Sequence, residues 1–107
     1  MTRYSLTIPT HYNDGQPIPR PILYALEEEL VEIGGGFTAS AATGAWASPS
    51  GAVVREPVTV YAVDSEQELA LPALEALAER TATALGQEAI YLTRQELDVQ
   101  LVAPAAA

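Results

Sequence analysis

Two stretches with helical spacing of apolar residues separate four stretches with strand-like alternation, and this order constrains the fold more than any other feature. Apolar residues recur every three or four positions over 22–33 and again over 74–85, which is typical of amphipathic helices. Glycines follow both stretches, at 34–36 and at Gly86, and glycine commonly ends a helix. We therefore predict two helices, each ending at its glycine.

The strands are predicted from residues that alternate between apolar and polar side chains. They cover 3–8, 37–46, 53–63 and 89–94. A fifth, peripheral strand is predicted at 97–102, and the proline and alanines of 104–107 predict a flexible tail. The resulting order, β-α-β-β-α-β, is the split βαβ arrangement. We therefore predict a single α+β, ferredoxin-like domain over 1–103, with an antiparallel sheet, two helices on one face and an extra C-terminal strand.

One face of this predicted sheet has no helix to cover it. If Leu6 and Val60 point towards the helices, then Tyr61 and Val63 lie on the uncovered face. A face that carries these side chains is too apolar to be left to solvent, so we expect a second copy of the chain to bury it. The predicted partner is therefore the protein itself, in a homo-oligomer formed through the open sheet face.

Composition excludes several classes of protein. The 107 residues include no cysteine and one histidine, which rules out a thiolate metal site, a cysteine nucleophile and motifs that need two histidines. Five basic residues, all of them arginine, against 14 acidic ones give a net charge of −9, which opposes binding to nucleic acid and to anionic membranes. No apolar stretch approaches the roughly 20 residues of a membrane span, and no targeting segment is visible. We expect a cytoplasmic protein with no cofactor, no metal, no nucleic-acid partner and no membrane partner.

Three short motifs resemble those of a family of small uncharacterised bacterial proteins. They are a G-x-W at Gly44 and Trp46, a Glu-Pro pair at 56–57 before a valine-rich strand, and a Gly-Gln-Glu at 86–88 before the last core strand. This resemblance covers the central part of the chain and implies a shared fold without an established activity. More loosely, the element order resembles that of the PII signalling proteins and the CutA-like proteins, which share the ferredoxin-like core. The short turn at 48–51 and the absence of lysine depart from the PII pattern and argue against an ATP site of that type.

A small set of polar and aromatic residues is predicted to form a ligand site or an interface. Trp46 and Arg55 lie on the two strands of the predicted hairpin, so we expect them to be neighbours, and an arginine beside an indole can stack or bind a carboxylate or phosphate. Gln87 and Glu88 precede the last core strand and are expected to gather with other polar groups at one sheet edge. A structural explanation stays open, because arginine and aromatic residues are also enriched at subunit interfaces. The candidates are Trp46, Arg55, Glu56, Tyr61, Gln87, Glu88 and His11.

The single histidine supports a catalytic hypothesis. His11 shares a loop with Asn13 and Asp14, so a carboxylate could orient it as a general base. The same residues are typical of a turn, and no serine stands in a nucleophile-elbow pattern. No catalytic residue is assigned.

These observations favour an oligomeric small bacterial protein with a binding or regulatory role. One alternative is a small enzyme with a pocket at the sheet edge or the subunit interface, built on His11 or on Arg55 and Tyr61. Another is an acidic protein inhibitor or nucleic-acid mimic, although solubility explains the same negative charge. A small molecule or another protein is the partner expected besides a second copy of the chain.

Overall fold

The computed structural model describes residues 1–106, in which four strands form one sheet and two helices cover one of its faces. The elements are β1 Thr2–Pro9, α1 Arg20–Gly34, β2 Thr38–Ala47, β3 Val53–Ser65, α2 Ala70–Leu85 and β4 Tyr91–Glu96. The sheet order is β2-β3-β1-β4, and every neighbouring pair is antiparallel. This is the ferredoxin-like α+β arrangement, so the predicted fold class is confirmed.

Proline and glycine set the two ends of α1. Pro19 caps the helix in an extended conformation, and Pro21 lies in the first turn, where a missing N–H loses no helical hydrogen bond. At the other end, Gly35 has a φ of 80° and donates its N–H to the carbonyl of Val31 over 2.7 Å. This left-handed cap is the conformation that glycine adopts without strain.

The core lies between the two helices and the face of the sheet that they cover. Alternate residues of β1 and β3 point into it, and the apolar stripes of α1 and α2 close it from above. The largest fully buried side chains are Leu6, Ile8, Leu30, Val63, Leu74 and Leu77. Burial of each such side chain contributes about 1.5–3 kcal/mol to folding, so this layer stabilises the domain.

The strand register shows that the predicted content of the open face was wrong. Leu6 stands opposite Tyr61, and Tyr4 stands opposite Val63. Directly opposed residues of an antiparallel pair share one face, so Tyr61 and Val63 point towards the helices, where they are 2% and 0% exposed. Val60 faces the open side instead. Alternation within each strand predicts two sets of side chains, but only the pairing decides which sets share a face.

The open face carries a mixture of polar and apolar side chains. On β1 and β3 they are Arg3, Ser5, Thr7, Val58, Val60, Ala62 and Asp64, and on the edge strands they include Ser40, Trp46, Tyr91 and Thr93. At one end, Arg3 donates two hydrogen bonds to the Asp64 carboxylate, over 2.8 and 2.9 Å. These bonds hold the pKa of Asp64 below its usual value.

The predicted extra strand at 97–102 is not formed in the structure. The N–H of Leu97 donates to the carbonyl of Met1 over 2.8 Å, one step beyond the pairing of Glu96 with Thr2. Because β1 begins there, the chain that continues from β4 has no strand left to bond. The segment has the alternating sequence of a strand, but none of the four strands of the sheet lies beside it. The predicted tail at 104–107 extends to Ala107, which lies outside the described residues.

The strands β2 and β3 extend beyond the rest of the sheet as a two-stranded arm, residues 43–57. β1 ends where Pro9 stands opposite Val58, whereas the β2–β3 pairing continues to Ala47 opposite Val53. A tight turn closes the arm, with Gly51 at a φ of 87°. The arm contributes to an elongated shape, 58 Å long and about 25 Å across.

Candidate ligand-binding groove

A groove of about 890 Å³ lies on the open face, between the arm and the segment 87–90 that leads into β4. We call it the open-face groove. Its floor includes Thr7, Val58 and Val60, and Val58 is only 5% exposed. The volume falls within the range of roughly 300–1,000 Å³ that is typical of small-molecule sites. A mainly apolar floor with polar groups at its margin is the usual composition of such sites.

Two aromatic side chains stand on the edge strands beside this floor. Trp46, on β2, is 48% exposed, and Tyr91, the first residue of β4, is 72% exposed. Both point to the open side, because Trp46 pairs with Val54 and Tyr91 with Thr7. Exposed aromatic rings at a groove offer flat apolar surface for stacking against a planar ligand.

The charged lining of the groove is acidic. Glu56 stands opposite Gly44 on the arm, and Glu88 lies in the segment that leads into β4. Among the described lining residues there is no arginine. The groove therefore favours a cation over an anion.

Two amides connect the first loop to the end of α2 at the groove margin. Asn13 donates its side-chain N–H to the carbonyl of Gly86 over 3.0 Å, and Gln87 donates to the Asn13 side-chain oxygen over 3.0 Å. The N–H of Gln87 also bonds to the carbonyl of Ala82 over 2.9 Å. These bonds position the segment that forms this wall of the groove.

Trp46 and Arg55 are not neighbours in the structure, so the predicted pairing of these two residues was wrong. Trp46 stands opposite Val54, and Arg55 stands opposite Ala45. The offset of one residue sends the two side chains to opposite faces of the arm. Arg55 is exposed and lies away from the groove.

Tyr61 belongs to the helix-covered side of the sheet rather than to the groove. Its hydroxyl donates to Glu27 over 2.7 Å, and its ring meets Phe37 edge to face with centroids 5.5 Å apart. Burial raises the pKa of the Tyr61 phenol well above its usual value, and the hydrogen bond to Glu27 raises it further.

His11 is exposed, and no carboxylate of residues 1–106 bonds to it. Its Nδ1 lies 2.6 Å from the hydroxyl of Thr10. Asp14, the carboxylate considered for this role, accepts the N–H of Gln16 over 2.9 Å. The loop that contains His11, Asn13 and Asp14 therefore has the geometry of a turn, which was the alternative to a catalytic role in the sequence analysis.

The structure brings four of the predicted candidates to the groove, namely Trp46, Glu56, Gln87 and Glu88. Sequence reasoning missed Tyr91 and Val58, which belong to the same site. The alternating sequences of β4 and β3 place Tyr91 and Val58 in strands, so the sequence indicates that each side chain lies on one of the two sheet faces. The strand register, however, was needed to place them on the same face as Trp46.

The described residues 1–106 contain no group of three or more histidine, aspartate or glutamate side chains arranged to hold a metal ion. Neither of the two helices in that range combines the length and the hydropathy that crossing a bilayer requires.

Comparison by sequence finds no matching protein family and no matching curated protein. Solved structures with similar folds include a phage SAM lyase in complex with S-methyl-5'-thioadenosine, with a TM-score of 0.65 and 16% identity over 89% of this chain and 80% of that one. CutA from Synechococcus elongatus has a TM-score of 0.57 and 11% identity over 88% of this chain and 73% of that one. CutA from Pyrococcus horikoshii has the same TM-score and 13% identity over 94% and 88%. The predicted likeness to CutA-like proteins is thus confirmed at the level of the fold.

Proposed function

We propose that this protein binds a small molecule in the open-face groove and has a binding or regulatory role. The observation that carries this proposal is the groove itself, which combines a buried apolar floor at Val58 with exposed aromatic rings at Trp46 and Tyr91. Such a combination would be costly to leave open to water without a ligand or a partner to cover it.

The lining points to a ligand that carries both a flat ring and a positive charge. Trp46 and Tyr91 offer ring faces for stacking, and an indole also attracts a cation. Glu56 and Glu88 supply negative charge without a competing arginine. The negative field of the chain, with a net charge of −9, adds attraction for such a ligand over a longer range.

The similar phage SAM lyase suggests the first compounds to test. Its solved complex contains S-methyl-5'-thioadenosine, which has an adenine ring and no net charge. S-adenosylmethionine shares the adenine ring and adds a sulfonium cation and an aminocarboxypropyl group, which together give it a net positive charge. Adenosine monophosphate keeps the ring and is an anion. These three compounds share the ring and differ in the sign of their net charge.

The single tryptophan of the chain makes a direct binding test possible. Trp46 is the only tryptophan and lies in the groove, so at a fixed protein concentration its fluorescence reports on a ligand that binds there. We expect S-adenosylmethionine to change the fluorescence and to bind more tightly than the neutral thioadenosine, while adenosine monophosphate binds weakest. Isothermal titration calorimetry provides an independent measurement. The proposal fails if none of the three compounds binds at millimolar concentration in either assay.

A matched pair of variants tests the role of the groove carboxylate. Glu56→Gln should weaken binding of S-adenosylmethionine roughly tenfold, a change of about 1.4 kcal/mol, while leaving the neutral compound nearly unaffected. Glu75→Gln removes an exposed carboxylate on α2 and should change neither affinity. Chromatography of the same solutions shows whether S-adenosylmethionine is converted to S-methyl-5'-thioadenosine. Conversion that is faster than in protein-free solution and slower with Glu56→Gln would make the groove an active site, as in the enzyme alternative.

We also propose that the protein self-associates through the open face, although not through the side chains first expected there. Tyr61 and Val63 are unavailable, but Trp46, Val54 and Tyr91 remain exposed on this face. A second copy that covered these residues would also narrow the open side of the groove. Size-exclusion chromatography with light scattering tests this proposal, and a monomer at tens of micromolar would contradict it.

A further inference from the structure

We propose that residues 97–103 of one copy form a β-strand against the free edge of β2 in a second copy. This inference rests on the self-association proposed above and adds a second contact between the copies, at the edge of the sheet beside the open face. It assigns a strand partner to two features that have none within residues 1–106, the free edge of β2 and the segment that follows β4.

The β2 edge lacks the features that normally prevent an edge strand from pairing with another chain. Natural sheets protect their edges with charged residues, prolines, bulges or short strands. β2 runs for ten residues, TASAATGAWA, with no charge and no proline. Its register with β3 continues from Thr38 opposite Ala62 to Ala47 opposite Val53 without an interruption. A long, regular and uncharged edge of this kind is a surface for strand addition.

The other edge of the same sheet is protected. β4 has only six residues, YLTRQE, and carries the charged side chains of Arg94 and Glu96. Both features discourage pairing with another chain. The contrast between the two edges indicates that β2, rather than β4, is the edge that accepts a strand.

The segment after β4 has the sequence of a strand but not the pairing of one. Leu97, Val99 and Leu101 alternate with polar neighbours until Val102, and Pro104 then prevents continuation of a ladder. Leu97 donates one backbone hydrogen bond to Met1, but the segment is not part of any strand. Leu101 and Val102 are 96% and 86% exposed. Pairing with an edge strand would satisfy its backbone groups and shield these side chains.

A second copy is the partner that the topology favours. In the order β2-β3-β1-β4, the β2 edge lies at the opposite side of the sheet from the strand that precedes the segment. The segment would have to cross three strand spacings, about 14 Å, to reach β2 of its own chain. The segment can reach the β2 edge of a second copy without crossing its own sheet. Because Trp46 belongs to β2, the added strand would flank the wall of the open-face groove and extend the site across the subunit boundary.

Disulfide cross-linking between single-cysteine variants tests this pairing. The natural chain has no cysteine, so every cross-link identifies the two introduced positions. Val99→Cys protein is mixed separately with Ala39→Cys, Ala42→Cys and Ala45→Cys proteins, which sample the register along β2 and both of its faces, and the mixtures are oxidised mildly. A disulfide needs Cα atoms about 4.4–6.8 Å apart, so only closely paired positions react. Ala76→Cys, exposed on α2, is the matched control.

We expect at least one β2 variant to form the mixed dimer roughly tenfold more efficiently than the Ala76→Cys control, because pairing raises the effective concentration of the two thiols. Equal yields for all three positions and the control overturn the inference. Mixing two separate proteins ensures that a link between positions 99 and β2 joins two copies.

Light scattering on shortened and substituted proteins separates this inference from the proposed self-association. Deletion of 97–107 and Leu101→Asp, at a position that is 96% exposed, should each weaken association roughly tenfold or more while the fold persists by circular dichroism. If the wild-type protein is an oligomer and both variants associate as tightly as it does, the strand exchange is wrong and self-association stands. If the wild-type protein is a monomer, both proposals are wrong.

Discussion

Tyr61 is a phenol whose surroundings depend on the register of a single strand pair. It is 2% exposed, and its hydroxyl donates to Glu27 over 2.7 Å. Burial and this hydrogen bond raise its pKa in the folded protein, whereas the phenol of an unfolded chain ionises near pH 10. The stability that depends on this shift is therefore complete below about pH 10 and is lost as the pH rises above it.

We predict that Tyr61→Phe lowers the free energy of unfolding at pH 7 by about 1 kcal/mol, the usual contribution of one hydrogen bond. The difference from wild type should shrink between about pH 10 and 11, because only the wild-type chain has the phenol at position 61 that ionises on unfolding. Urea titrations at several pH values measure both effects.

The control for this prediction is Tyr24→Phe, which removes a hydroxyl from a side chain that is 53% exposed. It should change the stability by less than about 0.5 kcal/mol. A constant difference between wild type and Tyr61→Phe from pH 7 to pH 11 would contradict the assigned origin of the shift.

Contacts between elements determine what the last turn of α1 can accommodate. Gly34 is the final residue of this helix, and a Cβ at that position would overlap Cγ1 of Val63 on β3. Val63 is 0% exposed, so it has little room to move. The glycine thus allows the helix to approach the sheet closely.

We predict that Gly34→Ala destabilises the protein by about 1–3 kcal/mol, the usual cost of overpacking a core. This is opposite in sign to helix propensity, which favours alanine over glycine by about 1 kcal/mol. Gly36→Ala is the matched control, because a Cβ there meets nothing within 4 Å and the residue is not in a left-handed conformation. Thermal unfolding measures both variants. Equal melting temperatures for the two variants would show that Val63 can shift to accommodate the added Cβ, and the prediction would be wrong.

The order of the elements was predictable because each helix and strand is marked by local periodicity and by proline or glycine at its ends. The bounds of β4 were less predictable. The strand was expected at 89–94 and lies at Tyr91–Glu96. The register that pairs Tyr91 with Thr7 would set Ala89 against Pro9, which has no N–H to donate. The proline at the end of β1 therefore explains why β4 begins two residues later than the sequence predicted.

The shape of the whole molecule makes part of the sheet depend on association. In the arm, residues 43–57, β2 and β3 pair with each other and with no other strand, and the bonds from Thr10 reach only the base of the arm, at the carbonyl of Pro57. An isolated two-stranded hairpin has marginal stability in water. The rest of the sheet packs against two helices. Stability against local opening should therefore differ between these two regions.

We predict that amides of the arm exchange with solvent rapidly in dilute protein and roughly tenfold more slowly at concentrations where the protein is an oligomer. Amides of β1 and of the segment 58–65 of β3 should be well protected at both concentrations. Hydrogen exchange followed by mass spectrometry distinguishes the regions. Exchange of the arm that stays unchanged while light scattering shows association would indicate that the copies meet elsewhere.

Periodicity and end signals were sufficient for the order of elements and the fold class, because these signals depend on neighbours along the chain. Tertiary pairing alone decided that Tyr61 faces the helices, that Arg55 points away from Trp46, and that Tyr91 joins the groove. The physical reason is that a strand presents alternate side chains to opposite faces, so a shift of one residue in its pairing reverses every side chain. The segment 97–102 shows the same dependence, since its alternation predicts a strand that forms only where an edge is available to pair with it.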